Sequence, residues 1–289
     1  MANIFHSNIF IVNWHYYAAG LLIYLSVCLF LHLKSKYSKR ATSVIKHDEE
    51  EVEEYNETQQ NGNGYWHSGE DCTHIPLVYK RIPQQEAIVR SKEFYEYMNR
   101  RRTVRHFSNE PIPSEVINNI IKTAGTSPSG AHTEPWKFVV VRSSEIKQKV
   151  REIIEWEEEI NYKKRMGKIW VDDLKFVRTY WVKEYLTEAP CLIFVFKQLY
   201  SIHNNQKQRH YYNEESVHIA AGILLTAIHY AGLVSLTSTP LNCGPALRKL
   251  LNRPNEEKLA LLLPVGYPSK DCLVPDISRK PLQDIMVEF

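Results

Sequence analysis

The sequence predicts an α/β domain, because short and continuous apolar runs alternate along the chain with helical patterns of apolar residues. The chain has 289 residues, 44% of them hydrophobic, so it can bury a full core. We expect one folded domain of about 200 residues. Four apolar runs are typical of buried strands, namely Phe138–Val141, Cys191–Phe196, Val234–Thr237 and Leu259–Leu263.

The helices are placed by the spacing of their apolar residues. The first begins near Glu86 and leads into a group of arginines, and Ser114 is positioned to cap the second helix, Glu115–Ala124. The order of the strands in the sheet does not follow from these periods. Three further helical patterns cover Glu145–Tyr162, Glu215–Tyr230 and Pro245–Leu251.

The first 33 residues contain no Asp, Glu, Lys or Arg. We predict a membrane anchor over residues 1–33, with a transmembrane helix at about 16–33, because this apolar stretch is long enough to cross a bilayer. Basic residues from Lys34 to Lys46 follow, so the positive-inside rule predicts a single-pass protein of the plasma or a vesicle membrane, with its catalytic domain in the cytoplasm. A cleaved signal peptide is the alternative, but the charged n-region and the small-residue cleavage site are missing.

A linker is predicted over residues 34–85. It is basic at first and then acidic, since seven of the ten residues from Asp48 to Glu57 are Asp or Glu. Such a stretch lacks the apolar surface that would offset the entropy of ordering it, so we expect it to be flexible. The folded domain then occupies residues 86–289.

Three arginines stand within five residues, at Arg101, Arg102 and Arg105. Guanidinium groups at this spacing are suited to bind a phosphate and the polar edge of a planar ring. About two dozen residues later, Thr126–His132 is a small-residue turn whose backbone N–H groups could approach a ligand closely. The alternative for the arginines is a solvated helix end, where cations complement the helix dipole.

Composition and missing motifs argue against several functions. A net charge of +3 is too small and too mixed to favour nucleic acid as a partner. The five cysteines form no CxxC pair and no metal-ligand spacing, so we expect reduced thiols and no metal. Hydrolase, zinc protease and phosphate-transfer activities lack their minimal motifs.

Together with Pro135-Trp136 and the run Lys137–Val141, the two segments resemble the FMN-binding core of the nitroreductase superfamily, and within it the branch that dehalogenates tyrosines. The resemblance spans about Phe94 to Phe289. It implies an α+β nitroreductase-like fold, with a mixed sheet wrapped by helices and FMN at the interface of an intertwined homodimer. The implied FMN-binding residues are Arg101, Arg102, Thr103, Val104, Arg105, Pro128, Ser129, Gly130, Thr237, Ser238, Thr239 and Arg279.

Two residues are implied to act in catalysis. Thr239 would present its hydroxyl to the flavin N5 and favour one-electron chemistry, and Ala131 would donate its backbone N–H to the phenolate oxygen of the substrate. Without the resemblance, the run Thr237-Ser238-Thr239 is more simply a strand end chosen for its β propensity.

The substrate is expected to meet Glu158, Tyr162 and Lys183. Glu158 and Tyr162 are four residues apart, so on a helix they share one face. A carboxylate, a phenol and a lysine suit an amino-acid zwitterion, with Glu158 on the ammonium and Lys183 on the carboxylate. Periodicity alone favours a solvated acidic helix. The resemblance reverses that interpretation and implies a halotyrosine, held beneath a lid that excludes water.

The activity implied by the resemblance is FMN-dependent reduction of 3-iodotyrosine and 3,5-diiodotyrosine to tyrosine and iodide. NADPH is the expected ultimate electron donor, through a separate reductase, because the sequence has no nicotinamide fingerprint. Two alternatives stay open. One is a membrane-anchored FMN nitroreductase or quinone reductase, which would not depend on Glu158, Tyr162 and Lys183, and the other is a non-catalytic flavin-binding sensor.

Overall fold

The structure is a computed structural model, and it describes residues 25–29, 31, 72–203 and 205–289. The chain separates into two units, Met1–Gly62 and Asn63–Phe289. The helices of the second unit are α1 (Gln84–Asn99), α2 (Ser114–Ala124), α3 (Ser144–Ile160), α4 (Lys168–Phe176), α5 (Tyr185–Glu188), α6 (Asn213–Tyr230) and α7 (Gly244–Leu250). Its strands are β1 (Trp136–Val141), β2 (Cys191–Gln198), β3 (Tyr200–His203), β4 (Gln206–Arg209), β5 (Val234–Ser235) and β6 (Glu257–Gly266).

The predicted membrane-spanning helix is contradicted by the structure. Of residues 16–33, those at 25–29 and 31 are described, and they are helical. Across the described ranges, no helix combines the length and the apolar character that a membrane crossing requires, which is about 20 residues. The prediction of a single-pass membrane protein with a cytoplasmic catalytic domain is therefore wrong. The other residues of the predicted span, and the acidic part of the predicted linker, lie outside the described residues.

The main sheet has the strand order β1-β2-β6-β5, and each neighbouring pair is antiparallel. The central pair, β2 and β6, places Phe194 opposite Leu262. Within the described part of the chain, the bridge between Thr103 and Ser235 is the one parallel contact of this sheet. The sheet is mixed only because of this bridge. The fold is therefore the α+β type implied by the resemblance, rather than the α/β class that the alternation of elements predicts.

Alternate residues of β2 enter two separate hydrophobic layers, as the period of a strand requires. Cys191, Ile193 and Val195 face one layer, which α2 and α6 cover. Leu192, Phe194 and Phe196 face the other, where α3, α5 and α7 pack. All six side chains are fully buried. The sheet thus lies between two helical layers, and this explains why the β2 sequence is continuously apolar.

Three local predictions differ from the structure. Ser114 is the first residue of α2 and makes no capping hydrogen bond, because Pro113 stands at the cap position with its backbone already fixed. The predicted strand Val234–Thr237 ends at Ser235, and the chain pairs with β6 again at Ser238. The polar composition of Ser201–Arg209 predicts a mobile loop, but its described residues contribute to the antiparallel hairpin β3–β4.

Large apolar side chains remain uncovered at both ends of the second unit. No residue of α1 is buried, and its Phe94 and Tyr95 are exposed. The C-terminal segment from Leu273 to Phe289 is also largely exposed, as are Leu77 and Val78 ahead of α1.

Candidate active site

The arginine segment is held in place by its backbone. It follows α1 directly, and Thr103 forms the parallel bridge with Ser235 while the Val104 N–H donates to the Ser235 carbonyl at 3.1 Å. Val104 is buried in the core, so its side chain is not available to a ligand. Pairing with β5 therefore fixes the positions from which Arg101, Arg102 and Arg105 extend.

Arg101, Arg102 and Arg279 converge although 178 residues separate the first from the last. Arg279 Nη2 donates to the Arg101 carbonyl at 3.3 Å, and Arg102 Nη1 donates to the Ile277 carbonyl at 3.3 Å. Burial lowers the pKa of Arg101, and the charges of Arg279 and Arg102 lower it further. Over the described residues, none of these three arginines forms an ion pair with a carboxylate.

Crowded guanidinium groups without a carboxylate partner fit a bound phosphate, because an anion would relieve their repulsion and accept their hydrogen bonds. A cavity of about 310 Å³ lies beside them, lined in part by Arg101, Arg102 and Ser235. On this observation, the residues present fit the phosphate of FMN.

The small-residue turn has an unusual backbone. Ala131, His132 and Glu134 have φ values of 49°, 53° and 43°, in the left-handed region that residues other than glycine seldom adopt. Ser129 Oγ accepts a hydrogen bond from the Glu134 N–H at 3.0 Å. At Gly130, a Cβ atom would lie 2.9 Å from the Tyr211 carbonyl oxygen, so close packing requires a glycine there.

Exposure alternates between successive residues in the segment that follows β5. Ser238 exchanges two backbone hydrogen bonds with Leu262, each 2.9 Å long, while Thr237 and Thr239 on either side are exposed. Burial raises the pKa of the Tyr185 phenol, and the nearby Ser238 side chain opposes that shift. Because side chains alternate between the two faces of a strand, Thr237 and Thr239 lie on the face opposite to the Ser238 side chain.

Glu158 and Lys183 form a buried ion pair. Lys183 Nζ lies 3.2 Å from Glu158 Oε2, and the two side chains are only 6% and 10% exposed. Lys183 Nζ also donates to the Tyr180 carbonyl, and the Lys183 N–H donates to Glu155 Oε1 at 2.7 Å. The loop that carries Lys183 is therefore fastened to α3 by its own backbone.

Tyr162 completes this group from the π-helical turn Asn161–Arg165 that continues α3. Its ring centroid lies 5.4 Å from Lys183 Nζ, and its hydroxyl donates to the Thr179 carbonyl at 3.3 Å. Burial, reinforced by the Glu158 charge, raises the pKa of Tyr162 to about 12, so the phenol stays protonated. Burial lowers the pKa of Lys183, and the Glu158 carboxylate opposes that shift.

Arg105 links the two groups. Burial raises the pKa values of Tyr162 and Tyr185, and the Arg105 charge opposes both shifts, as expected for a cation near the buried ion pair. The segment predicted to bind FMN therefore reaches the residues predicted to bind the substrate. Tyr185 was not singled out from the sequence, although it lies two residues after Lys183 and its burial beside Ser238 places it between the groups.

The turn at residues 128–131 is positioned by a different part of the chain. The Gly130 N–H donates to Ser216 Oγ at 3.4 Å, and Gly130 packs against Tyr211 and Tyr212. None of these partners belongs to the arginine group or to the buried ion pair. Within one chain, the structure thus places the arginine segment near the buried ion pair, whereas Gly130 of the turn contacts other residues.

Comparison with known proteins shows the family to which this chain belongs. The family model described as "Nitroreductase family" matches residues 98–267. The chain is 56% identical over 244 residues to human iodotyrosine deiodinase 1, covering 84% of each protein. It is 62% identical over 216 residues to iodotyrosine deiodinase from Hydra vulgaris, covering 74% of this chain and 79% of that one. The chain belongs to the iodotyrosine deiodinases of the nitroreductase family. The predicted superfamily and its dehalogenating branch are confirmed.

The fold of this deiodinase family member is also similar to that of a solved structure. It is oxidised iodotyrosine deiodinase bound to FMN and 3-iodo-L-tyrosine, with a TM-score of 0.59 and 33% identity, and the match covers 68% of this chain and 98% of that one. A BluB-like flavoprotein from Clostridium difficile 630, at 23% identity and a TM-score of 0.54, shares the fold.

Proposed function

We propose that this protein is an FMN-dependent iodotyrosine deiodinase, which converts 3-iodotyrosine and 3,5-diiodotyrosine to tyrosine and iodide. The observation that carries this proposal is the buried group of Glu158, Lys183 and Tyr162, which a general nitroreductase does not need. Membership of the deiodinase family and the solved relative with FMN and 3-iodo-L-tyrosine support the same substrate class.

FMN would be held by the converging arginines at its phosphate, with Arg105, Thr103 and the segment Thr237–Thr239 along the rest of the molecule. Val104 would contribute through its backbone, because its side chain is buried. When bound, FMN supplies the two electrons that, with one proton, replace the carbon–iodine bond by carbon–hydrogen and release iodide. NADPH would provide those electrons through a separate reductase.

The substrate zwitterion would enter the buried ion pair. Its ammonium would pair with Glu158 and its carboxylate with Lys183. Tyr162 would donate a hydrogen bond from its hydroxyl, since a phenol with a pKa of about 12 stays protonated. Each protein charge then exchanges one partner for another without being left unpaired. A ligand that carries only one of the two charges cannot make this exchange.

The ring end of the substrate would be oriented by two further residues. The Ala131 N–H would donate to the phenolate oxygen from the left-handed turn, and Thr239 would direct its exposed hydroxyl to the flavin. Closure of the α3–α4 region over the pocket would exclude water and strengthen both interactions.

The enzyme is proposed to act as a homodimer with FMN at the interface. Three features of the single chain support this arrangement. No residue of α1 is buried, apolar side chains stay exposed at both ends of the unit, and Gly130 of the Pro128–Ala131 turn contacts Ser216, Tyr211 and Tyr212, none of which belongs to the arginine group. A second subunit would cover these surfaces and bring its own turn to the flavin.

Iodide release tests the proposal. FMN-loaded protein, reduced chemically and mixed with 3-iodotyrosine, should release iodide and form tyrosine. Glu158→Gln should weaken 3-iodotyrosine binding while flavin content stays. Glu159→Gln, at a half-buried neighbour paired with Lys163, should leave binding unchanged. A protein that reduces nitroaromatics but not 3-iodotyrosine would favour a general nitroreductase, and one that holds FMN without reducing either class would favour a sensor.

A further inference from the structure

One buried amide joins the helix that carries the substrate residues to the segment that follows Thr239. Asn161 is 1% exposed and begins the π-helical turn after α3. Its Nδ2 reaches Glu158 Oε1 and the Leu241 carbonyl, each at 3.5 Å. Its Oδ1 accepts from Arg165 Nη1 at 2.9 Å and from Asn242 Nδ2 at 3.4 Å.

These four contacts use the full hydrogen-bonding capacity of an amide, which has two donor hydrogens and one oxygen with two lone pairs. A buried amide satisfied in this way fixes the relative position of the elements it touches, because losing any contact would leave a polar atom without a partner. Here those elements are the end of α3, at Glu158, and the loop Leu241-Asn242, two residues beyond Thr239.

The backbone on both sides is specialised for this contact. The Met166 N–H donates to the Asn161 carbonyl at 2.8 Å, which closes the π turn. Such turns insert a residue into a helix and occur frequently at functional sites. As a result both Asn161 and Tyr162 are buried, although they are consecutive. On the other side, Asn242 adopts a left-handed φ of 63°, which directs its amide toward Asn161.

We propose that Asn161 is a positioning residue, which orients the Glu158 carboxylate and holds the amino-acid pocket in register with the flavin-facing segment Thr237–Thr239. This role rests on the proposed function of the pocket and extends it. Asn161 would touch neither the reacting carbon nor the flavin, so its influence would appear in the recognition of the zwitterion and in the rigidity of the two elements that it joins.

Ligand pairs separate this role from a general effect on folding. The FMN-loaded full chain is titrated with 3-iodotyrosine and with 2-iodophenol, which has the ring and the phenol but no zwitterion. Asn161→Ala should weaken 3-iodotyrosine binding about tenfold, the cost of disturbing a hydrogen bond to a charged group, and should change 2-iodophenol binding less than about twofold. The double variant Asn161→Ala/Glu158→Gln should bind 3-iodotyrosine only slightly more weakly than Glu158→Gln alone, because both changes disable the same interaction. Equal weakening of both ligands, or additive losses, would overturn the proposal.

Hydrogen exchange gives a readout that does not depend on substrate. Asn161→Ala should speed amide exchange both at the π turn and at residues 241–243, whereas Lys164→Ala, at an exposed position of the same turn, should leave residues 241–243 unchanged. Faster exchange at the π turn alone would contradict the bridging role.

A second variant covers the case in which Asn161→Ala loses FMN or fails to fold. Asn242→Gly removes one arm of the bridge at a position whose positive φ suits glycine. It should shift ligand preference and exchange in the same direction by a smaller amount, and an unchanged preference would count against the proposal. If the unsubstituted chain binds 3-iodotyrosine no better than 2-iodophenol, the proposed function fails, while exchange at residues 241–243 still decides the role of Asn161.

Discussion

Lys183 Nζ and Glu158 Oε2 lie 3.2 Å apart and are almost completely buried, so the two charges expected to receive a zwitterion neutralise one another in the chain without ligand. Removing two charges from water is costly, and a buried pair is stable only while both partners are present. The ion pair therefore stabilises the pocket in the absence of substrate. A bound zwitterion would replace it with two ion pairs, one to Glu158 and one to Lys183.

Removing one partner of this pair should destabilise the protein strongly. Lys183→Met leaves the Glu158 carboxylate buried without its cation, which typically costs about 3–5 kcal/mol of unfolding free energy. The double variant Glu158→Gln/Lys183→Met should recover much of the loss, because no unpaired charge is left. Urea unfolding of the unsubstituted protein, the two single variants and the double variant measures these unfolding free energies. Equal stability of the Lys183→Met variant and the double variant would contradict the pairing.

Ligands with only one charge should bind poorly. The amine 3-iodotyramine keeps the ring and the ammonium of 3-iodotyrosine but has no carboxylate for Lys183. Separating Lys183 from Glu158 without a replacement should weaken binding at least about a hundredfold, as expected for an uncompensated buried charge. Titration of the FMN-loaded protein with both ligands measures the difference, and equal affinities would show that the ion pair does not receive the zwitterion.

The arginine group should contribute to flavin affinity and not to the stability of the flavin-free protein. Arg279→Met removes one of three crowded cations, so the unfolding free energy without FMN should stay the same or rise. FMN affinity should fall about tenfold or more, since hydrogen bonds to charged groups contribute about 1.5–3 kcal/mol. Flavin fluorescence quenching and thermal melting of the flavin-free protein measure the two quantities. Arg209→Met, remote in sequence on β4, is the control for loss of a cation.

Gly130→Ala should disturb the turn. Its Cβ would lie 2.9 Å from the Tyr211 carbonyl oxygen and 3.1 Å from Tyr212 Cδ2, so the backbone on one side must shift. We expect lower thermal stability and weaker 3-iodotyrosine binding through the displaced Ala131 N–H. Gly222→Ala is the matched control, because nothing lies within 4 Å of its added methyl group and alanine favours α6 by about 1 kcal/mol. Similar melting temperatures for the two variants would contradict the close packing at Gly130.

His210 should make the fold sensitive to acid. It is 3% exposed, its Nε2 lies 2.9 Å from Ser201 Oγ, and burial lowers its pKa from 6.5 to about 4. Between these two values the unfolded chain binds the proton and the folded chain does not, so its contribution to stability is complete above about pH 6.5 and is lost as the pH falls toward 4. His210→Gln should flatten the melting temperature over this range relative to the unsubstituted protein, and the exposed His203→Gln should not.

The sequence was informative where the signal is local. The continuous apolar run of β2 predicted a strand buried on both faces, and the helical spacing near Glu145, Glu215 and Pro245 placed α3, α6 and α7 to within two residues. Motif order also predicted the family, because Arg101–Arg105 and the turn at Gly130 stand at a characteristic separation. These features are set by neighbouring residues, whose contacts follow from period and spacing.

Other features depend on which distant segments meet, and the sequence periods do not contain that information. The antiparallel order of the sheet, the approach of Arg279 to Arg101, and the bridge from Asn161 to Asn242 all join segments far apart in the chain. Hydropathy alone predicts the membrane anchor, whereas among the described residues no helix is long and apolar enough to support that prediction. Local chemistry thus determined the elements and the residue types of the site, and tertiary packing alone decided which of those residues share a buried, low-dielectric environment in which their charges act on one another.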